Sequence, residues 1–160
     1  MNSQKAAGGF VLALTAGLIV AACAAKQPSR SVSQFDEDKA DIALMSSEIR
    51  QWRAEMGLGV EPPAETLLQY RHVPVKKLRL CPDEPAPNGE KCKDVCTLKD
   101  HICDNAENIC RIAEDLDGDG WAIEKCNTAK ASCKQATEKC CECATSEAEG
   151  QSSTGNACGG

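Results

Sequence analysis

The chain has 160 residues and a formal net charge of −6, with 3% aromatic residues and twelve cysteines. That acidity excludes a nucleic-acid binder held by phosphate contacts, and so few large apolar side chains cannot build a core of ordinary size for this length. Cross-links have to supply the difference.

The first 22 residues fall into three zones: a short start carrying Lys5, an apolar run over residues 10–20, and Ala21-Ala22 directly before Cys23. The run is 11 residues long, whereas a helix needs about 20 to cross a bilayer core. Residues 1–22 are therefore expected to be a cleaved signal peptide rather than a span. Val20-Ala21-Ala22-Cys23 resembles the lipobox of bacterial lipoproteins, in which the cysteine thiol receives diacylglycerol and becomes the new N-terminus. The resemblance implies lipidation of Cys23 and a membrane partner, reached through the N-terminal diacylglycerol and acyl chains. Several acyl chains on one residue are enough for stable anchoring. Ala24 stands where an inner-membrane retention signal often places Asp, so the enterobacterial sorting rule favours the outer membrane over the inner. The expected location is the cell envelope, and the mature net charge there would be about −7 once Lys5 is removed. That compartment is oxidising, so the cysteines other than Cys23 read as disulfide partners.

Residues 23–35 are polar and aperiodic, as a flexible tether would be. An amphipathic helix follows, with Ile42, Met45, Ile49, Trp52 and Met56 at spacings of three and four. Ser33 or Asp36 is expected to cap its start, and Gly57-Leu58 to form a Schellman stop. Pro62-Pro63 breaks the chain, a helical turn is expected over residues 64–70, residues 71–80 read as extended, and residues 81–89 form a proline-rich loop. Residues 36–89 thus comprise one amphipathic helix and its connecting segment. Residues 146–160, rich in Gly, Ser, Asn and Thr towards their end and carrying Cys158, are expected to form a disordered tail.

Between these, residues 90–145 carry the most informative pattern. Cys96, Cys103 and Cys110 are seven apart, and so are Cys126, Cys133 and Cys140. Extending each series in steps of four and three adds Cys92, Lys99, Ala106 and Ala113 to one helix, and Ala122, Ala129, Ala136 and Cys143 to the other. These are heptad a and d positions filled, Lys99 apart, with small residues. In an antiparallel hairpin, facing residue numbers have a nearly constant total. That condition pairs Cys110 with Cys126, Cys103 with Cys133, Cys96 with Cys140 and Cys92 with Cys143. Cys141 lies off this seam and could reach Cys81, leaving Cys158 as the odd thiol. Val95, Ile102, Ile109 and Leu116 run beside the first seam and need a cover, for which the stripe from Ile42 to Met56 is the candidate. The fold expected is all-α: a disulfide-stapled antiparallel helical hairpin with an additional N-terminal amphipathic helix.

Other readings are weaker. Thiolates binding copper or zinc favour i, i+3 and i+4 pairs along one helix, and His72 and His101 stand outside the ladder. Asp115, Asp117 and Asp119 with Gly120 resemble the opening of an EF-hand calcium loop. The position of its bidentate glutamate is Cys126, however, and a polar hairpin loop with Asp119 capping the second helix accounts for the same residues. Arg71, Lys76, Lys77 and Arg79 form a basic stretch that could lean on anionic lipid or polysaccharide, or be paired with local acids. No nucleophile setting, phosphate loop or zinc spacing occurs, so no catalytic residue and no cofactor is expected.

From Glu90 to Ala144, and more loosely from Ile42, the pattern is similar to that of small cysteine-rich predicted lipoproteins of myxobacterial type, marked by a paired-heptad cysteine ladder ending in Lys-Cys-Cys-Glu-Cys. The resemblance implies a fold and a location, and assigns no activity and no site residues. The function expected is that of an anchored structural or interaction module whose partner is an envelope protein or surface polymer. The alternatives are a metal-binding envelope protein and a redox role for Cys141 or Cys158.

Overall fold

The computed structural model describes residues 31–81 and 89–153. Cys23, Cys158, the signal segment and most of the proline-rich loop lie outside them. The described residues form helices and connecting turns: α1 (Val32–Glu55), α2 (Ala64–Tyr70), α3 (Val75–Leu78), α4 (Glu90–Asp115) and α5 (Gly120–Ser153). The expected all-α, disulfide-stapled architecture is the one observed.

Helix α1 starts earlier than the sequence suggests. Its N-cap is Ser31, whose hydroxyl accepts from the Gln34 amide at 3.3 Å, so neither Ser33 nor Asp36 caps it and residues 32–35 belong to the helix rather than the tether. The cause is the capping preference of serine, together with Phe35, which packs against the core and extends the apolar stripe by two turns. At the other end the Schellman stop is present. Gly57 adopts φ +72°, its amide donates to Ala54 O, and the Leu58 amide donates to Arg53 O at 2.9 Å.

The apolar face of α1 covers the hairpin. Ile42, Ile49 and Met56 are buried, with Met45 and Trp52 half-buried, in one core with Ile102 and Ile109 of α4 and Leu116 at its C-cap. Fully burying each isoleucine contributes about 2 kcal/mol. Asn105 Nδ2 donates to Glu48 Oε2 at 2.8 Å, and the Trp52 and His101 rings lie 5.4 Å apart. These contacts run α1 antiparallel to α4, and α1 also touches α5.

Residues 71–80 are not extended. Val75–Leu78 form the short helix α3, because Pro74 supplies a fixed φ at its start and the i, i+3 pair Val75 and Leu78 can then enter the core together. Helices α2 and α3 form a strap on the hairpin, α2 along α5 and α3 along both α5 and α4. Helix α5 also runs past residue 145 and through Gly150 to Ser153. The Ser-Glu-Ala-Glu stretch at 146–149 favours continuation of a helix that the ladder has already nucleated.

Candidate functional site

The disulfide ladder organises the molecule. Cys110–Cys126, Cys103–Cys133, Cys96–Cys140 and Cys92–Cys143 are joined, with Cα–Cα distances of 4.6, 4.7, 4.9 and 5.6 Å. Cys81–Cys141 ties the strap to the hairpin at 5.7 Å. The structure thus brings together each cysteine pair singled out from residue numbering. Helix axes packed on leucine stand about 8 to 10 Å apart, too far for such bridges. Here Ala106, Ala129 and Ala136 are buried between the rungs, and Ala113 and Ala122 just beyond the Cys110–Cys126 rung, and they allow the backbones to close. Buried hydroxyls in the same layer are internally satisfied: Thr137 Oγ1 donates to Cys133 O and Ser132 Oγ to Thr128 O, both at 2.9 Å.

Exposure grades the rungs. Cys103 and Cys133 are fully buried, whereas Cys81 and Cys141 are both partly accessible. Thiol chemistry from solvent therefore meets the strap tie first.

The turn between α4 and α5 does not form the EF-hand loop. That loop needs its sharp turn at Gly120, whereas the left-handed residue is Gly118, at φ +86°, and Gly120 is already the first residue of α5. Asp119 caps α5, its Oδ1 accepting from the Ala122 amide at 2.8 Å, and its Oδ2 meets Lys39 Nζ at 2.9 Å. The Lys39 hydrogen bond, followed by the Ala122 amide, holds the Asp119 carboxyl below the usual carboxylate range. Asp115 lies 4.0 Å from Arg111, and Asp117 is exposed. Among the described residues no group of three or more His, Cys, Asp or Glu is placed to hold a metal ion.

The basic stretch is divided. Arg79 pairs with Asp104 at 2.7 Å, with Glu107 at 3.6 Å and Asp100 at 3.7 Å. Lys76 and Lys77 are exposed. Arg71 borders an open cleft of about 400 Å³ that also meets Glu114, Asp117, Ile123, Lys130 and the Cys110–Cys126 rung. Lys130 donates to the Arg71 carbonyl at 2.9 Å, and burial lowers the pKa of its ammonium against the opposing pull of Glu114. His72 is exposed and His101 is occupied by Trp52.

Sequence reasoning missed two features. Arg53 is 1% exposed, donates through Nε to Gly59 O at 2.8 Å, and leaves Nη1 without a protein acceptor. Burial pulls the Arg53 pKa down, opposed by Glu61. Lys39 sits 4.8 Å from the Phe35 ring and 5.2 Å from the Trp121 ring while bonding Asp119. Apart from the Phe35 ring, four residues back on α1, the partners are brought by the turn after α1 and by a helix start 80 positions away, so no local pattern marks the burial of Arg53 or the Lys39–Asp119 bond. Comparison of the chain with protein-family models, with curated proteins and with solved structures finds no match.

Proposed function

We propose that the chain is a lipid-anchored envelope protein, held by Cys23 in a membrane, for which the outer membrane is favoured. Its hairpin acts as a rigid structural or interaction module for an envelope protein or surface polymer. The observation carrying this reading is the oxidation of ten cysteines into one ladder and one tie. Such a framework suits an oxidising compartment, and it withdraws from metal binding the thiolates that a copper or zinc protein would need. The lipobox supplies the address, and the reading assigns no catalytic step.

Mass spectrometry of the mature protein from membranes tests the whole reading. The expected result is an N-terminal Cys23 bearing diacyl mass, five protected disulfides, and a cross-linked envelope partner. Abundant reactive thiols that disappear on adding copper would sink it.

A further inference from the structure

The N-terminal end of α1 and the turn between α4 and α5 occupy the same end of the bundle, as the Lys39–Asp119 bond and the Lys39–Trp121 contact require. That end gathers amphiphilic side chains. Val32 is 80% exposed and Ile123 46% exposed. Phe35 and Trp121 are half-buried, Lys39 and Lys125 lie against the Trp121 ring, and Arg71 borders the adjoining cleft. Tryptophan, with lysine or arginine beside it, is the composition that settles at a membrane–water boundary.

The chain outside the structure says what covers this end. Eight residues, 24–31, separate Cys23 from the start of α1, and fully extended they span about 28 Å. Helix α4, with 26 residues, is about 39 Å long. An anchor at Cys23 therefore keeps this end within reach of the bilayer and rules out the inverted orientation, in which the Cys81–Cys141 end faces the membrane and the start of α1 stands a full helix length away. So short a link gives a high effective concentration, at which even a small apolar contact is populated. Resting on the lipid-anchor reading, we infer that the end bearing Val32, Phe35, Trp121 and Ile123 docks on the headgroup layer of the membrane that holds Cys23. The bundle then stands with the Cys81–Cys141 tie and the C-terminal half of α5 outward. Asp36 and Glu37 near the start of α1, Asp117 in the α4–α5 turn and Glu124 near the start of α5 are exposed at the docking end and oppose a negative surface, so the contact is made to zwitterionic headgroups and weakens as anionic lipid is added.

The two tryptophans report depth independently. Trp52 lies 20 residues along α1 from Val32, about 30 Å away. The full lipidated protein is reconstituted in phosphatidylcholine vesicles containing lipid brominated near the acyl carbonyls, using Trp52→Phe to isolate Trp121 and Trp121→Phe to isolate Trp52. Each variant is checked for five disulfides and helical content. Docking gives at least roughly twofold stronger quenching of Trp121 than of Trp52, and replacing exposed Val32 and Ile123 by Asp abolishes the difference. Co-flotation with equal or absent quenching of both tryptophans overturns the docking while leaving the anchor. Failure to float with the vesicles overturns the anchor and the docking with it.

Discussion

Lys39 Nζ meets Asp119 Oδ2 at 2.9 Å, joining the second turn of α1 to the residue that caps α5. One carboxylate thus closes the hairpin turn through Oδ1 and clamps the covering helix through Oδ2. Its pKa, held low by Lys39 and by the Ala122 amide, makes that clamp dependent on pH. A carboxyl with a depressed folded pKa contributes stability that is fully present above its unfolded value, near 4, and is lost as pH falls through the folded value.

Thermal melts between neutral pH and about pH 3 should therefore separate two variants. Asp119→Asn keeps a capping oxygen, so its melting temperature should be lower than wild type at neutral pH and should approach wild type in acid. Asp119→Ala loses the cap as well and should melt below the Asn variant throughout. Coincident melts of the two variants would remove the cap from this account.

The ladder is nested, so with its neighbours intact the Cys103–Cys133 rung closes a loop much shorter than its sequence separation. Replacing Cys103 and Cys133 together by Ala should cost roughly 2–3 kcal/mol, less than their separation of 30 residues suggests. Chemical denaturation of the oxidised protein measures this.

Accessibility sets a second expectation for the same bonds. Timed reduction with alkylation and mass mapping should find Cys81–Cys141 opened first and Cys103–Cys133 last, following their exposure. Early release of the buried central rung would contradict the packing described.

Ile42 and Ile109 are both 0% exposed in the core shared by α1 and the hairpin. Either residue changed to Ala should destabilise the protein by about 2–5 kcal/mol. Hydrogen exchange should show the loss concentrated in α1, while the stapled hairpin keeps its protection.

Arg79 reaches three acids on α4, but all of these pairs are partly solvated. Arg79→Ala should therefore cost no more than about 1 kcal/mol, and that cost should shrink in high salt. A loss of several kcal/mol would mean that the strap depends on this residue far more than its exposure implies.

What could be read from the chain by itself was whatever depends on periodicity and counting. The seven-residue cysteine spacing and the alanines between set two close-packed helices, and the near-constant total of facing numbers set their pairing. The stripe from Ile42 to Met56 marked the covering helix. The tertiary structure decided what depends on neighbours distant in sequence. Residues 71–80 hold a single i, i+3 apolar pair, too short a window to reveal a period, and Val75 and Leu78 become helical because the hairpin offers them a core. Asp119 could be foreseen as a cap, since that bond is local. Its bond to Lys39, the burial of Arg53 and the gathering of Trp121, Phe35 and Val32 at one end required the chain to be folded, because no sequence spacing records which helix ends lie together.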